Sequence, residues 1–77
     1  MHVIITGYYG HNIREQVDSE HTWEQIERLY KAFCPPWHDG TLVQIHRTDN
    51  GCAYNAPGTF TVKDKEGNQT VVILEAS

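Results

Sequence analysis

The chain is short of the groups from which active sites are usually built. Its 77 residues include two cysteines, Cys34 and Cys52, one methionine, and six Lys and Arg. Two cysteines allow one bridge at most, so no disulfide framework is expected to hold this fold. There is no phosphate-binding glycine loop, nucleophile elbow or His-Glu-x-x-His run, so the chain is not expected to be an enzyme. No apolar stretch approaches the roughly 18 residues of a membrane span. Six basic residues against ten acidic ones leave a formal net charge of -4, the wrong sign for a general nucleic-acid binder. An acidic surface suits a protein that meets basic protein surfaces, nucleic-acid-binding grooves among them. The first residues run straight into a strand-like segment, with neither a basic n-region nor a long apolar h-region. The expectation is therefore a cytoplasmic protein with reduced thiols.

What the chain does contain is enough for one small domain over residues 1–77. A hydrophobic content of 39% supports a single core and argues against disorder. No repeat, low-complexity tract or linker divides it. Between Glu15 and Glu27 stand five carboxylates (Glu15, Asp18, Glu20, Glu24, Glu27) and no Lys or Arg. Across the same region Trp23, Ile26, Leu29, Tyr30 and Phe33 recur at helical spacing. The combination predicts a helix with a buried apolar stripe and a strongly negative outer face. Thr22 and Gln25 form a capping-box pair, which sets the helix at about Trp23 to Phe33. Cys34-Pro35-Pro36 then stops it, since proline lacks an amide donor and restricts the residue before it.

Around that helix the pattern has period two. His2 to Thr6 reads as a central strand, Gly7 to Gly10 as a break, and Ile13 to Val17 as a second strand hairpinned onto the first. A helix beginning at Asn12 is the competing reading. The cap-forming cluster Asp18, Ser19 and Thr22 would sit badly inside it, which favours the strand. Thr41 to Thr48 reads as the next strand, and Asn50-Gly51 as a type I′ hairpin returning through a short strand, Cys52 to Asn55. Thr59 to Asp64 and Gln69 to Glu75 flank a loop at Lys65 to Asn68. The expected fold is α+β, one helix packed on an antiparallel sheet of about five strands in the order β-β-α-β-β-β.

Few residues suggest chemistry. Cys34, His38, His46 and Cys52 are of zinc-ligand type, but their spacing contains no paired C-x2-C knuckle. Buried cysteines and surface histidines are the simpler account, and no metal or cofactor is expected. Cys34 next to His38 would make a poor nucleophile, because the carboxyl end of a helix disfavours a thiolate. Tyr8 and Tyr9, between two glycines, offer aromatic contact area at low entropic cost, unless one folds back over the core. Trp37 is a similar candidate, with closure of the helix end as its structural alternative. For a protein partner the first candidates are Glu20, Glu24 and Glu27, followed by Tyr8, Tyr9 and Trp37. The rival reading is a small nucleic-acid-binding module, with Arg47, Lys63 and Lys65 gathered on the sheet and exposed tyrosines stacking on bases.

The succession VIIT, NIREQVDSEHTWEQIERLYKAF and HDGTLVQIHRTDNG resembles a class of small phage proteins, the anti-CRISPR inhibitors of type I surveillance complexes. It is most similar to a compact β-β-α-β-β-β member directed at the type I-F complex. Length, the passage from helix to strand through His38-Asp39-Gly40-Thr41, and the strand end at Asp49-Asn50-Gly51 carry the resemblance over about two-thirds of the chain. Ala56 to Phe60 and the final hairpin depart from it, and no contact residue is carried over. The resemblance implies a non-enzymatic inhibitor that binds a Cas7-type or Cas8-type subunit and blocks target-DNA recognition. Carboxylates on a rigid helix can occupy the basic groove that otherwise receives phosphates.

Overall fold

Val3, Ile5, Phe60, Val62, Val72 and Leu74 all turn to the same side of one sheet and are almost wholly buried. The computed structural model, which describes residues 1–77, arranges that sheet from β1 (His2–Tyr8), β2 (His11–Gln16), β3 (Leu42–Arg47), β4 (Gly58–Asp64) and β5 (Gln69–Glu75). The single helix, α1 (Thr22–Phe33), follows β2. The chain is thus an α+β fold in the order β-β-α-β-β-β, as the patterning predicts. The strand order is β2-β1-β5-β4-β3, and each neighbouring pair is antiparallel. The last strand therefore lies at the centre, with Val3 opposite Leu74 and Ile5 opposite Val72. Because β2 and β3 are the two edges, α1 must carry the chain from one edge to the other. Doing so lays Ile26 and Tyr30 onto the apolar face, both fully buried. Burial of a side chain of this size contributes about 1.5–3 kcal/mol.

The first hairpin is tighter than the sequence suggests. Tyr9 and Gly10 are its two central residues, at φ 49° and 79°, with Tyr8 paired to His11. Positive φ at both positions is what a two-residue hairpin demands. Gly7 also has positive φ, and the register shifts between Thr6 and Tyr8. This bulge reverses the inward–outward alternation and turns Tyr8 into the core.

Two local expectations are corrected. Asn50-Gly51 does not make a hairpin, and Cys52 to Asn55 is not a strand; neither Asn50 nor Gly51 has positive φ. β3 pairs directly with β4, and residues 48–57 form a loop between them. Thr22 and Gln25 do not form a capping box either. The cap residue is His21, without a side-chain cap bond, and the helix begins at Thr22. Thr22 instead donates its hydroxyl hydrogen to the Asp18 carbonyl at 2.7 Å, while Gln25 turns to Asp18. At the other end of the helix Gly40 is buried against its last turn. A Cβ there would stand 2.8 Å from the Lys31 nitrogen, so only glycine allows the approach.

Candidate docking surface

Five of the six residues nominated for partner contact fall into two groups, one at each end of α1. Twelve helical residues rise about 18 Å, which sets the separation. Glu20 and Glu24 belong to the amino-terminal end. Tyr8, Tyr9 and Trp37 belong to the carboxyl-terminal end. Glu27 lies between and has a different role.

At the amino-terminal end Asp18 builds the helix start. Its Oδ1 accepts the amides of Glu20 and His21 at 3.1 and 2.7 Å, and its Oδ2 accepts Gln25 Nε2 at 2.8 Å. Gln25 Oε1 in turn accepts the Asp18 amide at 2.9 Å. These bonds, the His21 amide foremost, hold the Asp18 carboxyl below its ordinary value. The result is a fixed platform from which Glu20 and Glu24 point into solvent. Neither makes an ion pair with Lys or Arg; the sole basic neighbour is His21, whose Nδ1 is 3.6 Å from Glu24 Oε2. Glu27 is less exposed. Its Oε2 accepts the Leu42 amide at 3.0 Å and its Oε1 lies 3.5 Å from Lys31 Nζ. Arg28 is exposed on the same helix. The strongly negative outer face expected of the whole helix is therefore confined to its first turn and the residues before it, and Glu27 ties the helix to an edge strand.

The 48–57 loop packs beside this acidic end. Trp23 Nε1 donates to the Tyr54 carbonyl at 2.5 Å and Asn55 Nδ2 to the Ser19 carbonyl at 3.1 Å. A shallow cleft of about 280 Å³ runs between the segment from Ser19 to Glu24 and Tyr54 and Asn55. Arg47 holds the loop from inside. Its guanidinium donates to the carbonyls of Ala53, Ala56 and Pro57, pairs with Asp49, and lies 5.1 Å from the Phe60 ring centroid. Arg47 keeps the Asp49 carboxyl at about 2, with the Gly51 and Thr59 amides adding to the effect.

At the opposite end Tyr8 is fully buried, its ring 4.2 Å from that of Tyr30. Its hydroxyl has no hydrogen-bond partner, and burial, with the nearby Asp64 charge, pushes the phenol above its ordinary value. Tyr8 thus offers nothing to a partner, because the Gly7 bulge commits it to the core. Tyr9 is half-buried, its hydroxyl 2.6 Å from His38 Nδ1 and 2.8 Å from Asn68 Nδ2. Asp64, almost wholly buried, accepts the amides of Glu66 and Asn68 at 3.0 and 2.8 Å and Asn68 Nδ2 at 3.0 Å. Trp37 stands clear at 78% exposure.

Arg47, Lys63 and Lys65 do not share a surface. Arg47 pairs in register with Phe60 on the helix side and spends its guanidinium on the loop. Lys63 is exposed on the strand opposite Gln44, and Lys65 lies 3.4 Å from Asp39. Cys34 and His38 lie beyond the helix end, His46 on an edge strand and Cys52 in the 48–57 loop; no three His, Cys, Asp or Glu side chains converge to hold a metal ion. No helix is long and apolar enough to cross a membrane.

The sequence marks Asp18 as cap-forming, and it does accept the amides at the helix start, but its exchange with Gln25 and the roles of Arg47 and Asp64 are not marked there. Asp18 had a visible signal, since acidic residues favour the start of a helix. Arg47 and Asp64 depend on carbonyls and amides brought together by the fold. No protein-family model, curated protein or solved structure matches this chain.

Proposed function

We propose that the chain is a non-enzymatic, protein-binding inhibitor that docks through the acidic amino-terminal end of α1. In line with the anti-CRISPR resemblance, its target is a type I CRISPR effector in the bacterial cytoplasm, met at a Cas7-type or Cas8-type subunit. The observation that carries the reading is the pair Glu20 and Glu24, exposed on a helix start that Asp18 holds rigid, with no Lys or Arg neutralising them. Fixed carboxylates of this kind compete with phosphate for a basic groove and speed encounter with it. Trp37 supplies a second, aromatic contact for a partner that spans both ends of the helix. Blocking target-DNA recognition requires occupancy alone.

Purified type I-F effector, incubated with the chain before labelled target DNA is added, tests this. Stoichiometric loss of DNA binding is the expected result. Full DNA binding, together with no complex between the chain and any type I effector, ends the proposal.

A further inference from the structure

The register of the strands fixes which main-chain groups are left over at the two edges of the sheet. The Val17 amide donates to the Met1 carbonyl at 2.8 Å, which makes this pair, and with it Val3–Glu15 and Ile5–Ile13, the hydrogen-bonded ones. The amides and carbonyls of Asn12, Arg14 and Gln16 therefore turn away from β1, and no group of the chain takes those amides.

The other edge is closed. β3 is bulged between Leu42 and Gln44, its Leu42 amide donates to Glu27 Oε2 at 3.0 Å, and its Arg47 amide donates to the Tyr54 hydroxyl at 3.4 Å. Bulges and covering groups are how a sheet refuses a further strand. β2 holds no proline, lysine or bulge of its own. Its one basic side chain, Arg14, leans back across β1, with Nη1 3.4 Å from Glu75 Oε1, and leaves the edge beside it open.

We propose that β2 is a dimerisation edge, pairing antiparallel with β2 of a second copy across a two-fold axis at Ile13. The side chains select both the occupant and the register. With Ile13 facing Ile13, His11 of each copy stands opposite Glu15 of the other, and Asn12 opposite Arg14. His11 and Glu15 lie on the helix side: the His11 ring is 5.0 Å from that of Phe33, and Glu15 pairs with buried Val3. They meet there as imidazole and carboxylate, repeated by the symmetry. Asn12 and Arg14 both turn outward, so each exchanges amide and carbonyl bonds with its counterpart. A register centred on Arg14 instead sets guanidinium against guanidinium, and one centred on Glu15 sets carboxylate against carboxylate.

Strands of six residues bury an area in the range of transient contacts, so association follows concentration. The acidic start of α1 is tied to the 48–57 loop, beside β3, and stays free in both copies. The dimer needs no effector and stands or falls apart from the inhibitor reading.

Sedimentation equilibrium of the full chain from about 10 µM to about 1 mM, with amide exchange at both limits, is the test. A monomer–dimer equilibrium is expected. Exchange at Asn12 and Arg14 should slow about tenfold at the upper limit, while exchange at Ile45, on the closed edge, stays the same. His11→Glu is expected to weaken the dimer about tenfold by facing carboxylate with carboxylate, and Glu15→Lys added to it should restore the native value. Both positions are exposed, so neither change touches the core. A monomer at the highest concentration overturns the proposal. So does a dimer in which Asn12 and Arg14 exchange as they do in the monomer, or one indifferent to His11→Glu. Slowed exchange there only when a different protein is added would make a partner's strand the occupant, and overturns the second copy as well.

Discussion

At the amino-terminal end of α1 a guanidinium gathers carbonyls; at the carboxyl-terminal end a carboxylate gathers amides. Arg47 winds residues 48–57 around itself through Ala53, Ala56 and Pro57. Asp64 winds its turn through Glu66 and Asn68. Both solve the same problem, the satisfaction of backbone groups in a connection that lacks strand partners. They differ in depth. Asp64 is almost wholly buried and has no ion pair, whereas Asp49, the partner of Arg47, is open to solvent. They also differ in what they leave outside. The Arg47 end presents free carboxylates, and the Asp64 end presents one large aromatic.

This contrast is broken most severely at Asp64. Asp64→Ala strands two amides and Asn68 Nδ2 in a part-buried turn, and urea unfolding is expected to show a loss of about 3 kcal/mol. A loss near zero would mean that water replaces the carboxylate at no cost. Arg47→Ala comes next, at about 2 kcal/mol, with hydrogen exchange rising across residues 50–57 while β1 and β5 stay protected. Arg47→Lys is expected to behave nearly as badly, because an ammonium cannot reproduce the fork that spans three carbonyls.

The pH dependence sharpens the same comparison. Asp49 titrates at about 2 in the folded chain against an ordinary 3.8. A depressed carboxyl stabilises the fold fully above its unfolded value and loses that contribution as pH falls through the folded one. The loop is therefore expected to stay ordered at pH 4 and to loosen toward pH 2. Carboxyl carbon shifts of Asp49 followed by NMR check this, and Arg47→Gln should return the midpoint toward 3.8. The smallest effect is expected at Tyr8. Its hydroxyl bonds to nothing, so Tyr8→Phe should change stability by less than about 0.5 kcal/mol. Tyr30→Phe should cost about 1 kcal/mol, because that hydroxyl bonds to Thr70.

The elements readable from the sequence were those set by periodicity. β5 matches its expected range, Gln69 to Glu75, and α1 differs by one residue at its start. Both follow from alternation or helical spacing that a core enforces along its whole length. Asn50-Gly51 misled because a hairpin signal is a local preference, and Arg47 offers residues 48–57 a better arrangement than a paired strand. For Tyr8 the sequence leaves partner contact and the core both open, and one bulged glycine, by inverting the alternation, decides for the core. The acidic first turn was legible as composition. That Glu27 binds the Leu42 amide was not, because nothing near Glu27 in the chain marks Leu42 as its neighbour.

Affinity for a type I effector compared between two variants tests the central claim most directly. One reverses charge at the acidic end, Glu20→Lys with Glu24→Lys; the other, Trp37→Ala, removes the aromatic at the far end. The double reversal is expected to weaken binding by about a hundredfold, with an intact fold and a flattened salt dependence. The native affinity retained by the doubly reversed chain would contradict the account.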